Sequence, residues 1–172
     1  MKIPSWTTEV ERNVLAELAH DVPYKGLIVE VGALYGGTTQ VLAEANLKAE
    51  IISIDEFSWT PEGYLTANKE RFLENMKEVG IENVSVIVED SRVVGKRWDR
   101  RIELLWIDGG HSYEFVFSDL MKFGPHAKVI ALHDYGNPVW PTIQKAVDDF
   151  LKKHPEFFVA NVVDTVAVLI RR

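Results

Sequence analysis

Residues 27–37 read Leu-Ile-Val-Glu-Val-Gly-Ala-Leu-Tyr-Gly-Gly, and this stretch decides the fold. Five mostly apolar residues lead into a glycine-rich turn, and a segment with helical periodicity begins at Thr38. This order predicts a buried strand, a tight turn and a helix, which is the arrangement that holds an adenine-type cofactor at a helix N-terminus. The turn is therefore the first candidate site in the chain.

Strand and helix patterns alternate through the rest of the chain. Apolar runs predict strands at 27–31, 51–54, 84–88, 103–107, 128–132, 157–162 and 166–170. Helical spacing predicts helices at 8–19, 38–47, 64–79 and 113–122, and from Pro141 to about residue 152. Such alternation indicates an α/β fold, with helices on both faces of a doubly wound sheet. The short turn at Asp164 permits only an antiparallel pair, so we expect seven strands, mostly parallel, with the last strand antiparallel.

The composition describes one globular domain. The chain has 172 residues, 47% hydrophobic and 26% charged, and we expect a single domain over residues 1–172. A net charge of −7 argues against nucleic acid as a partner, and the lack of cysteine excludes disulfides and thiolate metal sites. No signal-peptide core and no membrane-length apolar run stands out, so we expect a cytoplasmic protein with no membrane partner.

Residues 1–22 are predicted to carry a leading helix in front of the first strand. Thr8 and Glu11 have the spacing of a capping box, in which each residue hydrogen-bonds to the backbone of the other. Four apolar residues share the face that we expect to be buried: Val10, Val14, Leu15 and Leu18. On the sequence alone, Glu11 is a capping residue.

Acidic residues follow one predicted strand after another. Glu30 lies within the first strand, and later strands end at Asp55-Glu56, Asp90, Asp108 and His133-Asp134. In a parallel sheet these ends meet at one rim, where folds of this class bind their ligands. Acids placed only for solubility would scatter over both rims, so we interpret this rim as the functional site.

The glycine turn differs from two common nucleotide sites. Leu34 stands where the dinucleotide fingerprint has glycine, and no Lys-Ser/Thr pair follows, as it would in a phosphate loop. Glu30 suits a cofactor with a positively charged portion, and Asp55 is placed to bind ribose hydroxyls. Asp90 and Ser91 are candidates for an adenine edge. A plain tight turn and a turn-forming aspartate are the alternatives.

Five stretches stand in order along the chain: Glu-Val-Gly-Ala-Leu-Tyr-Gly-Gly-Thr-Thr (30–39), Ile-Asp-Glu-Phe (54–57), Glu-Asp-Ser (89–91), Trp-Ile-Asp-Gly-Gly-His-Ser-Tyr-Glu (106–114) and Leu-His-Asp-Tyr (132–135). Together they resemble class I, Rossmann-like S-adenosylmethionine-dependent methyltransferases. The most similar subgroup is the small-molecule O-methyltransferases of macrolide, aminocoumarin and cephalosporin biosynthesis type. The resemblance extends from about Gly26 to the end, and it implies S-adenosylmethionine as cofactor and a small-molecule hydroxyl as methyl acceptor.

The resemblance also implies a role for each rim residue. The turn would line the methionine portion of the cofactor, Asp55 would hold the ribose, and Asp90 and Ser91 would face the adenine amino group. Asp108 would lie beside the sulfonium and the acceptor. The expected cofactor-binding residues are Glu30, Gly32, Ala33, Tyr35, Gly36, Thr38, Asp55, Glu56, Asp90, Ser91 and Asp108.

Asp108, His133 and Asp134 form a candidate metal site. Carboxylates at neighbouring strand ends suit Mg²⁺ or another divalent cation, which would activate a bound hydroxyl. Several relatives have an acidic or amide pair after the fifth strand. His133 departs from that pattern and favours a transition metal. Gly110 stands where some relatives place a catalytic acid, so the candidate catalytic residues are Asp108, His111 and His133. An acidic rim without metal, and His111 as a turn residue, are the alternatives.

Other interpretations stay open at this stage. A methyltransferase of the same fold acting on RNA or protein, a non-catalytic cofactor-binding protein and a nicotinamide oxidoreductase are the rivals. The basic run at 96–101 is interpreted as a solvated loop or short helix. Aromatic residues in loops near the rim are candidates for an acceptor pocket: Trp59, Tyr64, Tyr135 and Trp140. With only a modest loop at 57–63 to cover the pocket, a homodimer is also a prediction.

Overall fold

A computed structural model describes residues 3–172, in which seven strands alternate with six α-helices. The strands are β1 (Leu27–Val31), β2 (Glu50–Ile54), β3 (Val84–Ile87), β4 (Ile102–Ile107), β5 (Ala127–Leu132), β6 (Phe157–Val163) and β7 (Val166–Arg171). The helices are α1 (Glu9–His20), α2 (Gly37–Ala45), α3 (Lys69–Glu78), α4 (Ser91–Val94), α5 (Tyr113–Phe123) and α6 (Thr142–Lys153). Within the described range, no helix is both long enough and apolar enough to cross a membrane.

The seven strands form one sheet in the order β3-β2-β1-β4-β5-β7-β6. All neighbours from β3 to β5 run parallel, whereas β7 runs antiparallel to both β5 and β6. The predicted fold class is therefore confirmed, including the antiparallel last strand. The strand order reverses between β1 and β4, and in such sheets the ligand lies beyond the carboxyl ends at that reversal.

A buried layer of side chains covers each face of the sheet. Helices α1, α2 and α3 pack on one face, and α4, α5 and α6 pack on the other. Because side chains alternate along a strand, Val29 and Val31 face the second set of helices, while Ile28 faces the first. Glu30 shares the face of Ile28 and lies beside Trp106 of β4, which is fully buried.

The structure corrects the start of the third helix. The sequence predicted a helix from residue 64, but α3 begins at Lys69, and the earlier residues form turns and irregular backbone. Asn68 caps the helix by accepting the backbone N–H of Arg71 at 2.8 Å. Leu65 lies in this irregular segment and is exposed. A strong cap inside the periodic segment therefore sets the boundary.

The leading helix also differs from the prediction in its buried face. The capping box between Thr8 and Glu11 is present, with distances of 2.8 Å and 3.2 Å. Val10, however, is exposed, and Glu11 is buried in its place. A short helix that the sequence did not predict, α4, follows β3 and is capped by Asp90.

Candidate active site

The glycine turn packs directly on the end of β4. Gly32 has a φ of +93°, and a Cβ at this position would lie closer than 3.0 Å to the backbone oxygen of Asp108. Leu34 adopts a φ of +47°, a left-handed conformation that costs a residue other than glycine about 1–2 kcal/mol. The turn is thus held in a conformation with local strain, immediately beside Asp108.

Asp55 holds this turn in place. Its Oδ2 accepts the backbone N–H groups of Ala33 and Leu34 at 2.8 Å and 2.7 Å, and its Oδ1 accepts that of Phe57 at 2.7 Å. These bonds stabilise the strained backbone at Leu34. A carboxylate has about four acceptor sites, so one remains for a hydroxyl. Asp55 therefore shapes the turn, and its contact with a ribose stays a prediction.

Glu30 lies fully buried beneath the turn. Ser53 and Thr39 donate their hydroxyls to Oε2 at 2.6 Å and 2.5 Å. Burial raises the pKa of Glu30 to about 7, against the opposing effect of the nearby hydroxyls of Ser53, Thr39 and Thr38. Its second oxygen, Oε1, has no hydrogen-bond partner within residues 3–172. A buried carboxylate oxygen without a donor indicates a place for a donor from a ligand or water.

Three other predicted cofactor residues in and after the turn bury their side chains inside the protein: Ala33, Tyr35 and Thr38. The Tyr35 hydroxyl donates to the backbone oxygen of Leu65. Its ring lies under Trp6 and Tyr64, with centroid distances of 6.3 Å and 6.2 Å. Any cofactor contact from these three positions therefore falls to their backbone groups.

The predicted adenine-side residues already have protein partners. Asp90 accepts the backbone N–H of Arg92 at 2.7 Å and pairs with its guanidinium, which lowers the pKa of Asp90. Ser91 donates its hydroxyl to Asp119 at 2.7 Å. Glu56 is exposed and accepts the hydroxyl of Ser58. The contacts of these residues with adenine stay predictions.

The carboxyl ends of β4 and β5 bring the predicted metal residues together. His133 Nδ1 lies 3.1 Å from Asp108 Oδ1 and 3.4 Å from Asp134 Oδ2. Its Nε2 lies 3.3 Å from Oε2 of Glu11 in the leading helix. His133 is therefore surrounded by three carboxylates from three different elements.

These carboxylates control the charge of the cluster. Burial by itself lowers the pKa of His133, but hydrogen bonds to Asp108 and Asp134 outweigh it and raise the pKa to about 11. Burial would raise the pKa of Asp134, yet hydrogen bonds from His111, His133 and Asn137 bring it below its usual range. Without a metal, His133 thus carries a proton at neutral pH and acts as the cation of the cluster.

His111 extends the cluster toward solvent. Its Nε2 lies 3.2 Å from Asp134 Oδ2, and its side chain is 38% exposed. The indole of Trp140 stacks on its ring at a centroid distance of 4.7 Å and an interplanar angle of 20°. Of the two predicted catalytic histidines, His111 is the more accessible to an acceptor.

The donor set of the cluster fits a divalent cation. One ligand atom from each of Asp108, His133 and Asp134 lies within 4.8 Å of the others. The spacings of 3.1 Å and 3.4 Å around His133 approach the ~3 Å between adjacent ligands of an ion with bonds of about 2.1 Å. Two carboxylates and one imidazole form a mixed oxygen and nitrogen set, which suits a first-row transition metal.

Comparison with known proteins agrees with this geometry. A family model described as a methyltransferase domain matches residues 29–135, which include the glycine turn and the acid–histidine cluster of Asp108, His111, His133 and Asp134. The chain belongs to this methyltransferase family. The resemblance to class I S-adenosylmethionine-dependent methyltransferases is confirmed, and the chain is an enzyme of this kind. No curated protein matches this chain in sequence.

Solved structures share the fold of the methyltransferase at low sequence identity. The O-methyltransferase NovP is 18% identical, with a TM-score of 0.77 over 94% of this chain and 79% of NovP. SMU.1697c from Streptococcus mutans, in complex with S-adenosylhomocysteine, is 12% identical, with a TM-score of 0.70 over 96% and 99%. An rRNA methylase from Streptococcus thermophilus is 13% identical, with a TM-score of 0.63 over 98% and 99%.

Sequence reasoning missed one residue of the methyltransferase site. Glu11 contacts His133 across 122 positions of sequence. In the sequence, the capping box already accounts for Glu11, so no pattern indicates a second role for this residue. The burial of an acid on the core face of α1 is visible only in the structure.

Proposed function

We propose that this methyltransferase transfers the methyl group of S-adenosylmethionine to a hydroxyl of a small molecule, with a divalent cation held by Asp108, His133 and Asp134. The observation that carries the proposal is the backbone contact between Gly32 and Asp108. It puts the cofactor turn and the acid–histidine cluster side by side, so that a methyl donor and an acceptor can meet.

The residues of the turn fit the cofactor. When bound, S-adenosylmethionine supplies an electrophilic methyl group. The unpartnered Oε1 of Glu30 would receive the positively charged amino end, directly or through water. The free acceptor site of Asp55 would receive a ribose hydroxyl. These residues bind and orient the cofactor and take no part in bond making.

The acid–histidine cluster would hold the cation and the acceptor. A divalent ion there would lower the pKa of a bound hydroxyl and fix its oxygen. Coordination by Nδ1 would require His133 to lose its proton from that nitrogen. The two carboxylates suit Mn²⁺ as well as Mg²⁺, and the nitrogen ligand favours a transition metal, so Mn²⁺ is the cation chosen for the tests.

His111 is the better proton acceptor of the two histidines. Both ring nitrogens of His133 already face carboxylates, so neither is free to receive a proton from substrate. His111 uses Nε2 toward Asp134 and keeps its other nitrogen for an acceptor hydroxyl. Trp140 would hold the ring in place by stacking and form an apolar wall beside it.

The charge distribution favours a small molecule over RNA. Arg100 and Arg101 precede β4 and therefore lie at the amino ends of the strands, opposite the candidate site. Both are paired, Arg100 with Glu50 at 2.6 Å and Arg101 with Glu103 at 3.0 Å. The rim that would receive the acceptor carries acids, which repel a phosphate backbone.

The test is a transfer assay with S-adenosylmethionine labelled at the methyl group. We expect label in members of a panel of small hydroxylated molecules, more with Mn²⁺ than with EDTA, and none in ribosomal RNA. Asp134→Asn should reduce transfer strongly, whereas Asp99→Asn, which removes the same charge from an exposed side chain before β4, should not. Label in RNA alone would contradict the proposed acceptor, and full activity in EDTA would contradict the proposed cation.

A further inference from the structure

We propose that Glu11 of the leading helix is a positioning residue of the active site. It holds the imidazole of His133 so that Nδ1 faces Asp108 and Asp134. The inference rests on the proposed function, because it assigns a role at that same site. Glu11 lies outside the segment matched by the methyltransferase family, which begins at residue 29.

The carboxylate of Glu11 is surrounded by donors. Its side chain is 2% exposed. Oε1 accepts the backbone N–H and the hydroxyl of Thr165 at 3.1 Å and 2.7 Å. Oε2 accepts the backbone N–H of Thr8 at 2.8 Å and lies 3.3 Å from His133 Nε2. Three of these four partners can only donate here, which makes Glu11 an acceptor on every side.

This arrangement keeps a hydrogen on Nε2 of His133, both in the protonated ring and after Nδ1 loses its hydrogen to bind a cation. Since Glu11 Oε2 is an acceptor, the partner nitrogen, Nε2, has to carry the hydrogen. The other nitrogen, Nδ1, then points at Asp108 and Asp134, where the acceptor or a cation would bind. A histidine that donates one N–H to a carboxylate and offers its other nitrogen to the site is a common means of orienting a ligand.

Capping alone does not explain these contacts. A capping box needs a single oxygen of Glu11, the one that accepts from Thr8. The other contacts reach Thr165 in the β6–β7 turn and His133 after β5. Thr8 also donates its hydroxyl to Asp164 at 2.9 Å, which fixes the first turn of α1 on the same β6–β7 turn. The leading helix is therefore fastened to the strand ends at the point where Glu11 meets His133.

The imidazole ¹H–¹⁵N NMR spectrum of the wild-type protein tests the inference without cofactor or metal. We expect a slowly exchanging Nε2–H resonance from His133, because that hydrogen is buried and bonded to Glu11. A His133 signal without a hydrogen on Nε2, or one that exchanges as fast as an exposed histidine, would overturn the inference. This readout does not depend on whether any variant folds.

Glu11→Gln tests the functional consequence, with Glu9→Gln as the matched control. Glu9 is exposed on the same helix and loses the same charge. We expect Glu11→Gln to lose the protected Nε2–H signal and to lower turnover about 10–100-fold, with the Kd for S-adenosylhomocysteine changed less than twofold. Glu9→Gln should keep both. Wild-type turnover and an unchanged His133 signal in Glu11→Gln would contradict the inference.

Two further measurements separate the possible failures. Thr165→Val removes one hydroxyl bond of Glu11 and leaves His133 untouched, so it should lower stability but keep the His133 signal. If Thr165→Val loses the signal while Glu11→Gln keeps it, the contact of Glu11 is only structural and the inference is overturned. If the wild-type protein binds no S-adenosylhomocysteine, the proposed function fails, while the His133 spectrum still decides the role of Glu11.

Discussion

No side chain fits between Gly32 and Asp108, because a Cβ on Gly32 would overlap the backbone oxygen of Asp108. The turn after β1 and the end of β4 are thus in direct backbone contact, and Asp108 N–H also donates to the backbone oxygen of Val31 at 2.8 Å. This contact joins the glycine turn to the acid–histidine cluster. Both halves of the site therefore depend on one glycine.

Gly32→Ala should lower the stability of the folded protein more than an ordinary glycine replacement does. It combines an unfavourable φ with a backbone clash, and we expect a loss of about 3–5 kcal/mol in the free energy of unfolding. Gly80→Ala is the matched control, since Gly80 has a φ of +72° and open space around its Cβ position. It should cost about 1 kcal/mol. Urea denaturation measures both, and equal losses would contradict the close contact.

Asp55→Asn should loosen the turn and weaken cofactor binding together. An asparagine has a single side-chain acceptor oxygen, so it cannot keep both the bonds to Ala33 and Leu34 and the bond to Phe57. We expect a stability loss of about 1–3 kcal/mol in urea and a higher Kd for S-adenosylhomocysteine. Glu56→Gln, its exposed neighbour, should leave stability unchanged. An Asp55→Asn protein with wild-type stability would show that these bonds do not hold the turn.

Asp119→Asn should stabilise the protein at alkaline pH. Asp119 is buried, and burial raises its pKa from 3.8 to about 7. A raised carboxyl pKa means that the folded protein prefers the protonated form. Its stabilising contribution is complete below about pH 4 and is lost as the pH rises through about 7. Asparagine resembles the protonated acid, so we expect a gain of about 2–4 kcal/mol at pH 8.5 and almost none at pH 4.

Asp149→Asn is the control, because the pKa of Asp149 is shifted in the opposite direction to that of Asp119. Hydrogen bonds from Lys145 and Lys152 lower the pKa of Asp149, so its contribution is present at neutral pH and is lost in acid. Its replacement should give no gain at pH 8.5. Thermal unfolding scans from pH 4 to 8.5 follow both variants, and a pH-independent effect of Asp119→Asn would contradict a protonated Asp119.

Asp134→Asn should weaken cation binding while the fold stays intact. Asp134 has a φ of +60°, a conformation that asparagine tolerates, and the change removes one charged ligand. We expect the Kd for Mn²⁺, measured by calorimetry, to rise at least about tenfold. Asp99→Asn is the control, because Asp99 is exposed, precedes β4 and loses the same charge. Equal Mn²⁺ affinity in the two variants would exclude Asp134 as a ligand.

The sheet and the rim were predictable because their signals are local. A buried parallel strand is mostly apolar, so β1, β4 and β5 were evident from their apolar runs. The acids that follow them had to meet at one rim, which brought Asp108, His133 and Asp134 together as predicted. The expected sheet topology therefore predicted more of the candidate site than any single motif did.

The contacts between distant elements were not predictable. Periodicity predicted that Val10 is buried, and the capping box explained Glu11 as a cap. The other partners of Glu11, His133 and Thr165, lie more than 120 positions away, so no local pattern indicates them. Asp90 and Ser91 carried a ligand-like pattern, yet Arg92 and Asp119 occupy their polar groups. Hydrogen-bond partners depend on which helices pack on the strand ends, and sequence patterns do not report that packing.

The most direct test of the central claim is calorimetric titration of the folded wild-type protein with S-adenosylhomocysteine. If the glycine turn, Asp55 and Glu30 form the cofactor site, S-adenosylhomocysteine will bind saturably at one molecule per chain. Asp55→Asn will weaken this binding, and Glu9→Gln will not. A folded wild-type protein that shows no saturable binding would contradict the account.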